Sequence, residues 1–166
     1  MKISVIIPTL NEAHILEKTI SGISRHSPHE IIIADGGSED STLGIAEKFG
    51  LGVVVGPPGR ALQMNLGART ATGDILFFLH ADSRVDEKSY QKMVAVMKQE
   101  NKVGGAFSLA IESEKPALKI ISNFATLRAR HLNLVFGDQA IFVRKRVFEE
   151  VGGFPPRMIF EDSEFC

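Results

Sequence analysis

Gly73-Asp74-Ile75-Leu76-Phe77-Phe78-Leu79-His80-Ala81-Asp82-Ser83-Arg84 is the stretch that decides the fold. Its five consecutive apolar residues, 75–79, are too few to cross a membrane and stop abruptly at polar ones. That is the pattern of a strand buried on both faces of a parallel sheet. In an open α/β sheet, ligands bind in the crevice beyond the carboxyl ends of the strands, so His80 and Asp82 stand where chemistry is expected. A plainer reading stands beside it, in which Asp82 and Ser83 only cap the turn or helix after the strand.

The same logic extends toward the N-terminus. Residues 3–7 read as a first buried strand closed by Pro8, and residues 30–34 as a second strand ending at Asp35. Between them Leu16, Ile20 and Ile23 recur at i, i+4 and i+7, one face of a helix. Gly36-Gly37-Ser38 makes a tight turn, and Asp40 or Ser41 is placed to cap a helix that buries Leu43, Ala46 and Phe49 and stops at Gly50. Residues 52–55 read as a short strand and Gly56-Pro57-Pro58-Gly59 as a loop. Residues 60–70 have helical character, with Leu62 and Leu66 on one side and Gln63, Asn65 and Arg69 available to solvent or ligand. The alternation of strand and helix specifies a doubly wound α/β sheet.

Beyond the central strand, Tyr90, Met93, Val94 and Met97 mark a further amphipathic helix. The pattern then becomes mixed: a strand over 104–111, a helical stretch from Pro116 to about 132, a strand over 138–143, and a short helix over 145–151 halted by Gly152-Gly153. Antiparallel strands are expected to join the sheet here.

A chain of 166 residues without repeats or linkers fits one domain with a substantial core. Its 19 Lys+Arg against 20 Asp+Glu leave a net charge of −1, which provides no electrostatic footprint for nucleic acid. The single Cys166 excludes an intramolecular disulfide and a cysteine zinc site, and suits a reducing, cytoplasmic setting. The chain reaches Pro8 before an apolar stretch of signal-peptide length develops, so no targeting or transmembrane segment is expected.

Acidic residues fall at element ends: Asp35, Asp82 and the pair Glu161-Asp162. Parallel strands bring the first two to one edge of the sheet. Carboxylate oxygens gathered there hold a divalent cation, which in turn bridges diphosphate oxygens. Arg60 or Arg69 would add charge to the phosphates. No GxGxxG follows the first strand and no GxxxxGK[ST] occurs, so the phosphate cradles of dinucleotide dehydrogenases and P-loop NTPases are missing. Gly56-Pro57-Pro58-Gly59 is a poor substitute, because its prolines remove two amide donors.

Four segments, taken in order, carry a resemblance that spans essentially the whole chain. Ser4-Val5-Ile6-Ile7-Pro8-Thr9-Leu10-Asn11-Glu12, then residues 33–42 (Ile-Ala-Asp-Gly-Gly-Ser-Glu-Asp-Ser-Thr), then Gly73-Asp74 through Ala81-Asp82-Ser83, and finally Glu161-Asp162 resemble the motifs of family 2 glycosyltransferases with the GT-A fold. The resemblance implies a nucleotide-binding half over 1–84 and an acceptor-side half over 85–166, with the family's usual C-terminal helices missing. It implies that Pro8, Thr9, Asn11, Glu12 and Asp35 line the nucleotide pocket, joined by Arg60. Asp82 corresponds to the last carboxylate of the family's Asp-X-Asp motif, which binds metal and donor diphosphate.

His80 occupies the first position of that motif. An imidazole ligates Mn²⁺ but suits Mg²⁺ poorly, so either ion is kept in view. The alternative is a histidine hydrogen-bonded at the sheet edge. Asp162 matches the family's general base for inverting transfer, with Glu161 beside it; acidic residues are also favoured at a helix N-terminus. Asp138 and Gln139 fall where the family has acceptor-side residues. A lipid-linked acceptor would suit the charges of Arg128, Arg130 and His131, and would fit a cytoplasmic protein peripheral to a membrane, monomeric or homo-oligomeric.

The expected activity is transfer of a sugar from a nucleotide diphosphate donor to an acceptor, with inversion. Two alternatives remain open at this level: a nucleotide-sugar binding module without turnover, and a nucleotidyltransferase. The latter usually has a glycine-rich, basic loop after the first strand, and Thr9-Leu10-Asn11-Glu12 is neither.

Overall fold

The computed structural model describes residues 1–107 and 140–155. Its elements run β1 (Ile3–Thr9), α1 (Ala13–Ser24), β2 (Glu30–Asp35), α2 (Thr42–Lys48), β3 (Gly52–Val55), α3 (Arg60–Thr70), β4 (Ile75–Phe78), α4 (Glu87–Met97), β5 (Gly104–Ala106), β6 (Ile141–Arg144) and α5 (Lys145–Glu150). Residues 108–111 of the strand expected over 104–111, the helix expected over 116–132, and Asp138, Gln139, Glu161 and Asp162 lie outside the described residues.

The strands form one six-stranded sheet in the order β3-β2-β1-β4-β6-β5. The first four are parallel, and β6 is antiparallel to both β4 and β5. Alternation along each strand sends side chains to two separate cores. Val5, Ile7, Ile33, Ile75, Phe77 and Leu79 meet Leu16, Ile20 and Ile23 of α1, Ala46 of α2 and Tyr90, Met93 and Met97 of α4. On the other face Ile6, Ala34, Leu76, Phe78, Ile141 and Val143 meet Ala61, Met64 and Ala68 of α3 and Phe148 of α5. Each large side chain so buried is worth about 1.5–3 kcal/mol, which is why the central strands are mostly apolar.

Three expectations are corrected by the packing. The strand does not close at Pro8, because β1 continues to Thr9 with Pro8 opposite Ala34 and Thr9 opposite Asp35. Pairing with β4 has already ended at Ile6 opposite Phe78, so the missing proline amide costs no ladder bond on that side. Phe49 is 39% exposed instead of buried, since α2 ends at Lys48. The third correction reverses the faces of α3: Leu62 is 41% exposed, while Gln63 is only 4% exposed. This helix lies too close to the sheet for leucines. A Cβ on Gly67 would sit 2.5 Å from Ile6 Cγ2, so the contact face consists of Ala61, Met64, Gly67 and Ala68.

The antiparallel direction of β6 brings the chain back to the carboxyl edge of the parallel strands. Ile141 pairs with Phe78, so β6 enters the sheet at the end where β4 leaves it. There the Phe107 amide donates to the Ala140 carbonyl at 2.9 Å, closing the excursion of residues 108–139 at its base.

Candidate functional site

The chain builds β1, β2 and β3 outward in one direction, then crosses back through α3 to lay β4 on the other side of β1. That reversal of strand order makes a topological switch point between β1 and β4, and its crevice opens at the carboxyl ends, at Thr9 and His80.

Asp35 organises the β1–β2 side of this edge. It is fully buried, and its carboxylate accepts four hydrogen bonds. Oδ1 receives the Gly37 and Ser38 amides at 2.8 and 2.7 Å, and Oδ2 receives the Thr9 and Ser38 hydroxyls at 2.8 and 2.6 Å. Burial pushes this carboxyl up, but the bonds from Ser38, Thr9 and Gly37 outweigh it and hold Asp35 below the ordinary aspartate value. Gly37 supplies the tight turn with φ +91°, a region that disfavours a side chain.

The β1–α1 and β2–α2 loops are tied together by the same motif. The Asn11 amide donates to Ser38 Oγ at 2.8 Å, and Asn11 Oδ1 accepts from the Glu39 amide at 2.8 Å. The Glu12 amide donates to Thr42 Oγ1 at 2.9 Å, and Ala13 donates to Asp40 Oδ2 at 3.1 Å. Asp40 also accepts from the Thr42 amide at 2.9 Å, so it caps α2 while reaching across to α1.

Gln63 locks α3 to this platform. Its amide nitrogen donates to the Thr9 carbonyl at 2.6 Å and the Ala34 carbonyl at 3.0 Å, and its oxygen accepts from the Gly59 amide at 3.3 Å. Gly56 donates to the Asp35 carbonyl at 2.9 Å, so both amides of the Gly-Pro-Pro-Gly loop that could meet a phosphate are already engaged. The loop is a connector. Arg60 opens α3 at the carboxyl edge, exposed and without an ionic partner among the described residues. Arg69 belongs to the opposite edge: just past α3, the Thr72 amide donates to Glu30 Oε1 at 2.6 Å, at the start of β2.

On the β4 side, Leu79 still donates to the Ile6 carbonyl at 3.0 Å, and Ser83 then turns back onto the His80 carbonyl at 3.0 Å. Ala81 is buried, His80 half-buried and Asp82 exposed. The Asp82 carboxylate makes no hydrogen bond or ion pair with the described residues. It therefore does not cap the next helix; Asp86 does, accepting from the Ser89 amide at 2.9 Å. The chain returns to this edge at Phe154, which packs on Phe78 at 4.9 Å between ring centres. Asn65 grips it through both main-chain groups, at 2.8 and 2.9 Å.

Of the residues expected in the nucleotide pocket, Pro8, Thr9 and Asp35 are buried behind the carboxyl edge of the sheet. Asn11, Arg60 and Asp82 are exposed, and Glu12 is half-buried. Ser38, Asp40, Thr42 and Gln63 complete the platform; the sequence marked Asp40 as a helix cap, Ser38 and Thr42 within the segment 33–42 and Gln63 as open to solvent or ligand, but not the bonds that join them.

A six-stranded, mostly parallel sheet with its crevice at this switch point defines the GT-A glycosyltransferase fold, and solved structures agree. A mannosyltransferase from Pyrobaculum calidifontis, in complex with GDP-Man and Mn²⁺, superposes with a TM-score of 0.74 at 20% identity, covering 98% of this chain and 50% of that one. S. aureus TarS superposes with a TM-score of 0.78 at 18% identity, covering 99% and 32%. The model of the family described as Glycosyl transferase family 2 matches residues 4–152, and the chain belongs to that family. Glycosyltransferase AglE of Haloferax volcanii is 27% identical over 95% of this chain and 57% of its own length. A PGL/p-HBAD biosynthesis glycosyltransferase of Mycobacterium tuberculosis is 38% identical over 55% of this chain and 40% of its own. The chain thus spans about half the length of these relatives. No helix among the described residues is long and apolar enough to cross a membrane.

The Pyrobaculum calidifontis neighbour was solved with Mn²⁺, and the side chains at this edge with the chemistry to meet such an ion are Asp82 and His80. Among the described residues no three metal-binding side chains cluster. The exposed Asp82 carboxylate makes no hydrogen bond or ion pair with the described residues, and His80 stands two residues before it. Such a sparse protein set suits a cation whose remaining positions are filled by diphosphate oxygens and water.

Proposed function

We propose that this chain binds a sugar nucleotide at the β1–β4 switch point and transfers the sugar, with inversion, to an acceptor hydroxyl. The observation that carries this reading is the exposed Asp82 carboxylate just past β4, with no hydrogen bond or ion pair to the described residues, in a member of this family. Asn11, Glu12 and the platform built on Asp35 hold the nucleoside, within a nucleotide-binding half over residues 1–84. Arg60 adds positive charge on the phosphate side. Asp82, with His80, holds a divalent ion; when bound, that ion neutralises the charge that develops on the diphosphate leaving group. Asp162 takes the proton of the acceptor hydroxyl as general base. Asp138, Gln139 and Glu161 belong to the acceptor side, over residues 85–166, where a lipid-linked acceptor is the class the basic residues 128–131 suit.

Calorimetric titration with UDP and with GDP, in MnCl₂ and in EDTA, tests the reading. The wild type should bind one of them more tightly with Mn²⁺, and Asp82→Asn should lose that gain while folding normally. Unchanged affinity in Asp82→Asn removes it from the site. Hydrolysis of the matching sugar nucleotide distinguishes an enzyme from a binding module, which would show affinity alone.

A further inference from the structure

We propose that Thr19 and His26 are positioning residues for Asp82, holding its loop from α1 through the main chain. The inference rests on Asp82 being the carboxylate that meets the metal and diphosphate.

Between the end of β4 and the cap of α4, the chain has to cross the mouth of the site. Besides the Leu79 amide on the Ile6 carbonyl and the turn between Ser83 and His80, two side chains far away in sequence hold this crossing. Thr19, buried on the inner face of α1, donates its hydroxyl to the Ala81 carbonyl. His26, just past the end of α1, places Nε2 2.9 Å from the Val85 carbonyl and Nδ1 2.7 Å from Glu87 Oε2. Its ring stacks on Tyr90 at 4.5 Å and 11°, and its side chain is only 5% exposed.

The anchors bracket Asp82, one residue before it and three after. Both take hold of backbone carbonyls and leave the Asp82 carboxylate untouched. A loop stabilised only for the sake of the fold could equally have used that carboxylate as a cap, as Asp86 does four residues later. Here the support is routed around it. Outer groups that fix a ligand in this way typically change metal affinity by 10- to 100-fold when removed, because the ligand must then be ordered at the moment of binding.

Three variants separate positioning from simple structural support. Thr19→Val keeps the buried volume and removes the hydroxyl, Thr19→Ser keeps the hydroxyl, and His26→Phe keeps the stack on Tyr90 but loses both nitrogen contacts. UDP and GDP are titrated into the full chain in MnCl₂ and in EDTA, with urea unfolding as the control for folding. The expected result is a loss of about tenfold or more in the Mn²⁺-dependent affinity for Thr19→Val and His26→Phe, the scale of lost outer-shell support. Affinity in EDTA should stay unchanged, and Thr19→Ser should bind like the wild type. Should Thr19→Val not fold, His26→Phe carries the comparison. An intact Mn²⁺ gain in the folded variants overturns the inference, and so does an equal loss in EDTA and Mn²⁺. Asp82→Asn in the same series isolates the underlying reading: if it too keeps the Mn²⁺ gain, the assignment of Asp82 fails, and the positioning role falls with it.

Discussion

Replacing Asp35 by asparagine tests the platform under the nucleotide pocket most directly. The two amides on Oδ1 cannot reverse, so the asparagine oxygen must face Gly37 and Ser38; its NH₂ then faces the Thr9 and Ser38 hydroxyls, which can rotate to accept. All four contacts survive in number but lose their charge. A hydrogen bond to a charged group contributes about 1.5–3 kcal/mol against about 1 for a neutral one, so losing about 0.5–1 on each of four gives about 2–4 kcal/mol. Urea unfolding at pH 7 should show this as a lower midpoint with an unchanged slope. The acid side supplies a second reading. Asp35 lies below its ordinary value in the fold, so the unfolded chain, near 3.9, binds the proton more tightly. Its contribution is complete above about pH 5 and lost as pH falls through the folded value. Glu30 shares that direction: burial raises it, but bonds from Ser4 and Thr72 outweigh the effect. The variant should therefore keep part of the wild type's acid dependence and lose the rest. A loss below about 0.5 kcal/mol at pH 7, the scale of an ordinary surface change, or an acid dependence identical to wild type would refute the account.

Gly67→Ala should destabilise by about 1–3 kcal/mol despite the better helix former, because its Cβ meets Ile6 Cγ2 at 2.5 Å; a raised Tm would contradict the close α3–β1 approach. Gln63→Leu removes the second donor from the Thr9 and Ala34 carbonyls, which keep the Gly36 amide and the Thr9 amide of the β1–β2 ladder, so a cost of about 1 kcal/mol by urea unfolding is expected, together with weaker nucleotide binding. His80→Asp should shift nucleotide diphosphate binding from Mn²⁺ toward Mg²⁺, and an unaltered ion preference in calorimetry would leave His80 a structural role. Asp162→Asn should reduce sugar transfer by about 10²- to 10⁴-fold with donor affinity unchanged, and Glu161→Gln by less; the reverse order would make Glu161 the base.

The sheet was legible because its signal is local: runs such as 75–79 and 31–34 are apolar on both faces wherever helices cover both sides. The amphipathic α1 and α4 were equally plain, since Leu16, Ile20, Ile23, Tyr90 and Met93 are bulky and evenly spaced. The orientation of α3 was not, because close packing on β1 selects small residues and a hydrogen-bonded glutamine, which read as a polar face. At the site, strand-end acids such as Asp35 and Asp82 announce themselves by position. Thr19, His26, Ser38 and Thr42 do not. Their roles exist only once segments up to 62 residues apart are brought together, and no spacing in the sequence records that.

The single bond between the Phe107 amide and the Ala140 carbonyl bears on how such a protein diversifies. It holds together two points that are 33 residues apart in sequence, at the end of the sheet where β4 gives way to His80, so the number of residues between them can change without moving either point. Doubling a flexible loop costs only about 0.6 kcal/mol in closure entropy. Evolution could lengthen, shorten or exchange the sequence between these two anchors while the parallel strands and the platform on Asp35 stay as they are. Under the proposed function, the same nucleotide-binding strands could in this way be paired with new acceptors without being rebuilt.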